Sequence, residues 1–85
     1  MADYPTLKLQ PGAAPVQEPV AAEDVTWQVQ RGAIRISTRS AITEPDEQGL
    51  VLRAGGTVEG ASITAGKAVW YWPIGGDATV TREAL

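Results

Sequence analysis

The sequence contains no cysteine, no histidine and no phenylalanine in its 85 residues. Without cysteine there is no disulfide bond and no thiolate ligand for zinc, and without histidine the usual general base and metal ligand are missing. No apolar run approaches the roughly 18 residues that a membrane span requires, and the first residues, MADYPTLKLQPG, lack the basic start and apolar run of a signal peptide. We therefore expect a single small domain that is not exported, not inserted in a membrane and free of cofactors.

Negative charge is concentrated near the N-terminus. In residues 1–24, Lys8 is opposed by four acidic residues, which together account for the whole net charge of −3, whereas basic and acidic residues balance in the remainder. Binding to nucleic acid phosphates requires clustered lysine and arginine. The sequence therefore predicts no nucleic-acid partner.

Motifs that carry catalysis are also missing. The stretch GASITAGKA, residues 60–68, has Ala61 where a phosphate-binding loop needs glycine and Ala68 where it needs serine or threonine. The acidic residues of TEPDEQG, residues 43–49, lack the spacing of a calcium loop. No histidine is available to activate a serine nucleophile. We predict a non-enzymatic protein without a metal site.

Residues 1–24 contain four of the six prolines and no helical or strand periodicity. Proline lacks a backbone donor and favours an extended residue before it. Two interpretations remain open, a solubilising tail and an extended arm that lies on a neighbouring subunit by adding a strand around residues 6–10. Pro19 also predicts a short helical turn over Val20–Asp24. In the arm interpretation the apolar anchors are Leu7, Leu9, Val16 and Val20.

From Val25 onward apolar and polar residues alternate with a period of two, which is typical of half-buried strands. Trp27 and Val29 share one face of their segment, as do Ile34 and Ile36 in the next, and Arg31-Gly32 between them predicts a hairpin turn. Further strands are predicted at LVLR, at TVE, around Ile63, at KAVWYW and at ATVTRE, separated by glycine-rich turns. We predict an all-β fold, a small sandwich or barrel of about six short strands in residues 25–85, preceded by the arm.

Three of the five aromatic residues lie together in VWYWP, residues 69–73. In a strand, Trp70 and Trp72 face one way while Val69 and Tyr71 face the other, so both faces of this strand are apolar. The tryptophans then fill the domain's own core, form a subunit interface, or stack on the faces of sugar rings. A body with few large apolar side chains favours additional burial against other copies.

Arg35, Ser37 and Arg39 form a polar stripe along one strand face. Such a stripe is usually solvated. The alternative is a docking surface for an acidic partner, which adds Arg35 and Arg39 to the candidate interface formed by Trp70, Tyr71 and Trp72.

The segments AIRIST, GLVLRAGGTVE and AGKAVWYWPIGGDATVT, within about residues 26–82, resemble small virion proteins of tailed bacteriophages. The proline-rich arm before a compact β body also resembles capsid decoration (cement) proteins. That resemblance implies a homo-oligomer, a trimer, that binds the major capsid protein on the outside of the virion. It also implies that Leu7 and Leu9 on the arm and Trp70 and Trp72 on the body are interface residues.

Two alternatives come from other classes. A tail or fibre accessory module would bind host glycans through Trp70 or Tyr71. A small cupin-like barrel is suggested by the spacing of glycine and isoleucine around residues 32–36, although a catalytic cupin uses histidine ligands that this sequence lacks.

Overall fold

The structure, a computed structural model, describes residues 4–18, 21–54 and 60–84. Its elements are antiparallel β-strands, and no helix that could span a membrane occurs in these ranges. The strands are β1 (Leu7–Leu9), β2 (Val16–Glu18), β3 (Val25–Arg31), β4 (Ala33–Ser37), β5 (Leu50–Arg53), β6 (Gly60–Ile63), β7 (Val69–Pro73) and β8 (Ala78–Ala84). The prediction of an all-β sandwich is confirmed. Among the described residues, six strands, β3 to β8, lie in the predicted body, and β1 and β2 precede them.

The strands form two four-stranded sheets with the orders β1-β8-β3-β6 and β2-β7-β4-β5, named here sheet A and sheet B. Four of the pairings are nested, since β1 pairs with β8, β2 with β7, β3 with β6 and β4 with β5. A long antiparallel hairpin rolled over itself produces this pattern, which is the topology of an eight-stranded jelly roll.

The core lies between the sheets and is supplied by alternate residues of the central strands. Trp27 and Val29 of β3 face Ile34 and Ile36 of β4, and all four are nearly inaccessible to solvent. Tyr71 joins them from β7, with its ring tilted against Trp27 at a centroid distance of 5.3 Å. The predicted alternation in these strands therefore corresponds to inward and outward faces.

The turn predicted at Arg31-Gly32 is wrong as a hairpin, because β3 and β4 belong to different sheets. A register shift between Val29 and Arg31 bends the end of β3, and Gly32 adopts a φ of 77°. The Gly32 carbonyl accepts a hydrogen bond from the Ala54 amide at 2.9 Å. Because the chain passes from sheet A to sheet B at Gly32, the apolar faces of β3 and β4 meet across the core. A flat hairpin would place these two faces side by side on one sheet.

Several sequence predictions fall partly on undescribed positions. Val20, the turn at Gly55-Gly56 and the strand at TVE lie outside the described residues. Residues 21–24 form bends and no helical turn, and the Ala21 carbonyl accepts a hydrogen bond from the Gly66 amide.

Candidate functional site

Arg82 is the one charged residue with a buried side chain among those the structure describes, at 5% exposure. It follows Ala78 and Val80 at intervals of two along β8 and therefore points inward with them. A buried charge is costly unless other groups compensate it. The groups that surround Arg82 are consequently the most specific side-chain arrangement in the described part of the chain.

Arg82 contacts Trp27 on the neighbouring strand β3. Its other three polar or aromatic partners come from residues 4–18, called here the N-terminal segment. The Arg82 Nη1 atom lies 2.8 Å from Glu18 Oε1 on β2. Its Nη2 atom donates a hydrogen bond to the Pro5 carbonyl at 3.1 Å. Its guanidinium carbon lies 5.4 Å from the ring centroid of Tyr4 and 5.1 Å from that of Trp27. Arg82, Tyr4, Pro5, Glu18 and Trp27 are together called the Arg82 cluster.

The ion pair is close but not fully hydrogen-bonded. Among the described residues, neither Nε nor Nη1 of Arg82 has an acceptor in hydrogen-bonding alignment, despite the short distance to Glu18. The aromatic rings compensate in part, because a guanidinium near a ring face is attracted to its negative quadrupole. The charge of Arg82 is therefore stabilised by several partial contacts, from the N-terminal segment and from Trp27 of β3, and not by one ideal contact.

The environment of the Arg82 cluster also acts on two tyrosines. Burial raises the pKa of Tyr71 above its ordinary value of 10.0, and the negative charge of Glu18 raises it further, while Arg82 opposes this. The pKa of Tyr4 is raised mainly by desolvation and also by its hydrogen bond to Glu23, which it donates at 3.2 Å. Both phenols therefore keep their protons to a higher pH than a free tyrosine does.

Little free space remains in this region. A cavity of about 20 Å³ lies between Tyr4, Glu18, Lys67 and Arg82. Sites for small organic ligands measure roughly 300–1,000 Å³. The described cavity is therefore too small for such a ligand, and the N-terminal segment occupies the space beside Arg82.

The aromatic run is divided between the two faces of sheet B. Tyr71 is buried in the core at 6% exposure, so it is not available as a platform for a sugar. Trp72 faces outward beside Arg35 yet is only 4% exposed, whereas Trp70, opposite Ser37, is half-buried. Of the predicted interface aromatics, Trp70 is the accessible one.

The acidic loop, residues 43–49, covers Trp72. The Trp72 Nε1 group donates a hydrogen bond to the Pro45 carbonyl at 3.1 Å, and Arg35 Nη1 donates one to the Gln48 carbonyl at 3.3 Å. The Gln48 side chain accepts hydrogen bonds from the backbone amides of Thr43 and Glu44. The second apolar face of β7 is therefore covered at Trp72 by this chain itself, without a second subunit.

The other predicted residues occupy the edges of the sandwich. Leu7 and Leu9 lie opposite Val80 and Ala78 and are half-buried against the core. Val16 lies opposite Tyr71 at the edge of sheet B and is 46% exposed. Arg39 is exposed beyond the end of β4, and its backbone amide donates a hydrogen bond to Ser37 Oγ. The predicted set is thus dispersed over two sheet edges and one outer face.

Sequence reasoning missed the Arg82 cluster. The signal was nevertheless present, because Arg82 continues the inward phase set by Ala78 and Val80. A charged residue at an inward position of a strand predicts a buried partner of opposite charge. That partner, Glu18, is 64 positions away in a segment too short for any periodicity, so the sequence did not indicate which acidic residue it is.

Comparison with known proteins finds no matching family model, no matching curated protein and no matching solved structure. What the geometry defines is a class, a small antiparallel jelly-roll sandwich whose N-terminal segment is anchored by a buried arginine. Within the described ranges, no three acidic side chains converge where a metal ion could bind.

Proposed function

We propose that this chain is a non-enzymatic structural protein of a bacteriophage particle, a decoration protein that binds the major capsid protein on the outside of the shell as an oligomer. The main supporting observation is that the two strands of the N-terminal segment, β1 and β2, pair with the body at sheet edges. Among the described residues, every buried apolar side chain lies between Val25 and Val80. The segment contributes half-buried residues such as Leu7 and Leu9, which pack against this core from its edge.

An edge-strand segment suits a structural role on a shell. Main-chain hydrogen bonds provide affinity whenever an extended segment adds to an exposed sheet edge, and a few side chains fix the register. The jelly-roll topology is also one that viral capsid domains use, although lectins and cupins share it and the topology alone does not distinguish these functions. The resemblance of the strand motifs to small virion proteins favours the viral structural function over the lectin and cupin functions.

Particles from a phage that lacks this gene provide the test. Recombinant protein added to such particles should co-sediment with filled heads and should not co-sediment with purified tails. Deleting residues 2–20 should leave the circular dichroism spectrum of a β protein and abolish retention on heads. Binding to tails alone would refute the decoration function and support the fibre alternative.

Trp70 supports a second candidate, a glycan-binding module. It is the accessible tryptophan of the aromatic run, it lies on the outer face of sheet B, and jelly-roll sandwiches include lectins. In that case Trp70→Ala should abolish binding to host surface polysaccharide and lower thermal stability much less than Trp72→Ala does. Retention on capsids by the same variant would separate the two functions.

A further inference from the structure

We propose that the N-terminal segment, residues 4–18, exchanges between copies of this chain. In the exchanged form, Arg82 of one copy is held by the Tyr4, Pro5 and Glu18 groups of another. The proposal rests on one part of the proposed function, the oligomeric state, and explains how the copies are joined. It does not depend on binding to a capsid, because exchange takes place in the purified protein.

The first argument is the position of the segment. β1 closes one edge of sheet A against β8, and β2 closes one edge of sheet B against β7. Each strand is three residues long, so each contributes few main-chain hydrogen bonds. Withdrawing both strands leaves two free edges of different sheets on the same side of the sandwich, and a free edge is a template for pairing with another chain.

The second argument is the chemistry of attachment. The fully buried core is formed by residues 25–80, whereas the segment is anchored by the buried guanidinium of Arg82. Once the segment leaves, Arg82 loses the contacts of Glu18, Pro5 and Tyr4, while its guanidinium remains over the Trp27 ring at 5.1 Å. Arg82 and Trp27 then present one cation beside one aromatic ring, which recognises a tyrosine and a carboxylate spaced as they are in residues 4–18. Every other copy of this chain carries that sequence.

The third argument is energetic. Exchanged and unexchanged forms contain the same contacts, so they differ mainly in the conformation of the connection between β2 and β3 and in the entropy of association. Prolines at positions 5, 11 and 15 restrict the backbone of the segment, which lowers the entropy lost when it docks, whether on its own body or on a partner. Mass action then favours exchange as the local concentration rises.

Because the chain has no cysteine, disulfide cross-linking gives an unambiguous test. Lys8 on β1 and Thr79 on β8 are directly opposite on the outer face of sheet A. Directly paired residues have Cα atoms about 4.5–5.5 Å apart, which is within the range that a disulfide bridges. Thr26 on β3 and Glu83 on β8 are an equally opposed pair on the same face, but both belong to the body, so they are the matched control.

Lys8→Cys and Thr79→Cys chains are purified separately, mixed at high concentration, equilibrated and oxidised. We expect a heterodisulfide between the two chains, identified by mass spectrometry, well in excess of the two homodisulfides. The Thr26→Cys and Glu83→Cys mixture should give no such excess. In the doubly substituted chains, Lys8→Cys/Thr79→Cys should give covalent oligomers whose largest closed species reports the ring size, while Thr26→Cys/Glu83→Cys should give cross-linked monomers.

The role of the Arg82 cluster is tested by adding Glu18→Gln to the Lys8→Cys and Thr79→Cys chains. Weaker anchoring affects both forms equally, so the final yield of heterodisulfide should hold while its rate of formation rises about tenfold, which corresponds to about 1.4 kcal/mol. Cross-linking confined to single chains, with a heterodisulfide yield no higher than in the control mixture, would overturn the proposal. Because that result needs no particle, it leaves the capsid-binding experiment free to succeed or fail independently.

Discussion

Arg82 and Glu18 form an ion pair across the interior of the sandwich, with Nη1 and Oε1 2.8 Å apart. Arg82 is on β8, an inner strand of sheet A, and Glu18 is on β2, an edge strand of sheet B. The pair therefore joins the two sheets. The Arg82 side chain is 2% exposed and the Glu18 side chain 29%. The pair is therefore buried at its positive end and open to water at its negative end.

Glu18→Gln should destabilise the fold by roughly 1–3 kcal/mol, because a buried guanidinium loses its neutralising charge while water partly replaces the carboxylate. Urea unfolding followed by tryptophan fluorescence measures this. Asp77→Asn is the control, since it removes the exposed pair between Asp77 and Arg31 at 3.9 Å. Exposed pairs contribute about 0–1 kcal/mol. Equal effects of the two substitutions would contradict the special role of the Arg82 cluster.

Trp72→Ala should cost about 3–5 kcal/mol, because it removes a large buried ring and leaves the acidic loop without its contact. Trp72→Phe retains most of the ring and loses the hydrogen bond to Pro45, so a loss of about 1 kcal/mol is expected. Trp70→Ala on the same face is the control and should cost much less, since Trp70 is only half-buried. Thermal melting of the three variants decides this, and a similar midpoint for Trp72→Ala and the parent protein would show that the loop does not depend on Trp72.

Gly32→Ala should be strongly destabilising. The backbone at Gly32 has a φ of 77°, where a non-glycine residue costs about 1–2 kcal/mol, and a β-carbon there would also collide with the Asp77 carbonyl oxygen. Gly12→Ala separates the two causes, because Gly12 has a φ of 75° and open space around it. The loss at position 12 should be only the conformational part. Chemical unfolding of both variants gives the comparison, and an equal loss at both positions would exclude the steric contribution.

Stability should fall at high pH as tyrosines ionise. The pKa of Tyr71 is raised in the folded protein by burial and by Glu18, so the unfolded chain loses its phenolic proton first. The resulting stabilisation is complete below the ordinary pKa of 10.0 and is lost as pH rises through the folded pKa. Urea unfolding between pH 9 and pH 12 should show this decline, and Tyr71→Phe should make it shallower. An unchanged slope in Tyr71→Phe would assign the decline to other groups.

The inward and outward faces of the body strands follow from the sequence alone. Alternation in residues 25–30, 33–37 and 78–81 predicted which side chains face the core, because successive side chains of a strand point to opposite faces. The prediction of an all-β sandwich rests on equally local signals.

Which strands meet was decided only in the tertiary structure. The pairing of β1 with β8 joins residues about 70 positions apart through main-chain hydrogen bonds, and main-chain groups are nearly the same for every residue type, so local sequence does not encode such a partner. The same holds for Trp72, whose cover is a loop about 25 positions away, and for Arg82, whose charge is compensated by Glu18, Tyr4 and Pro5 from the far end of the chain. The sequence determined which faces had to be buried, and the folding of two sheets onto each other determined which groups bury them.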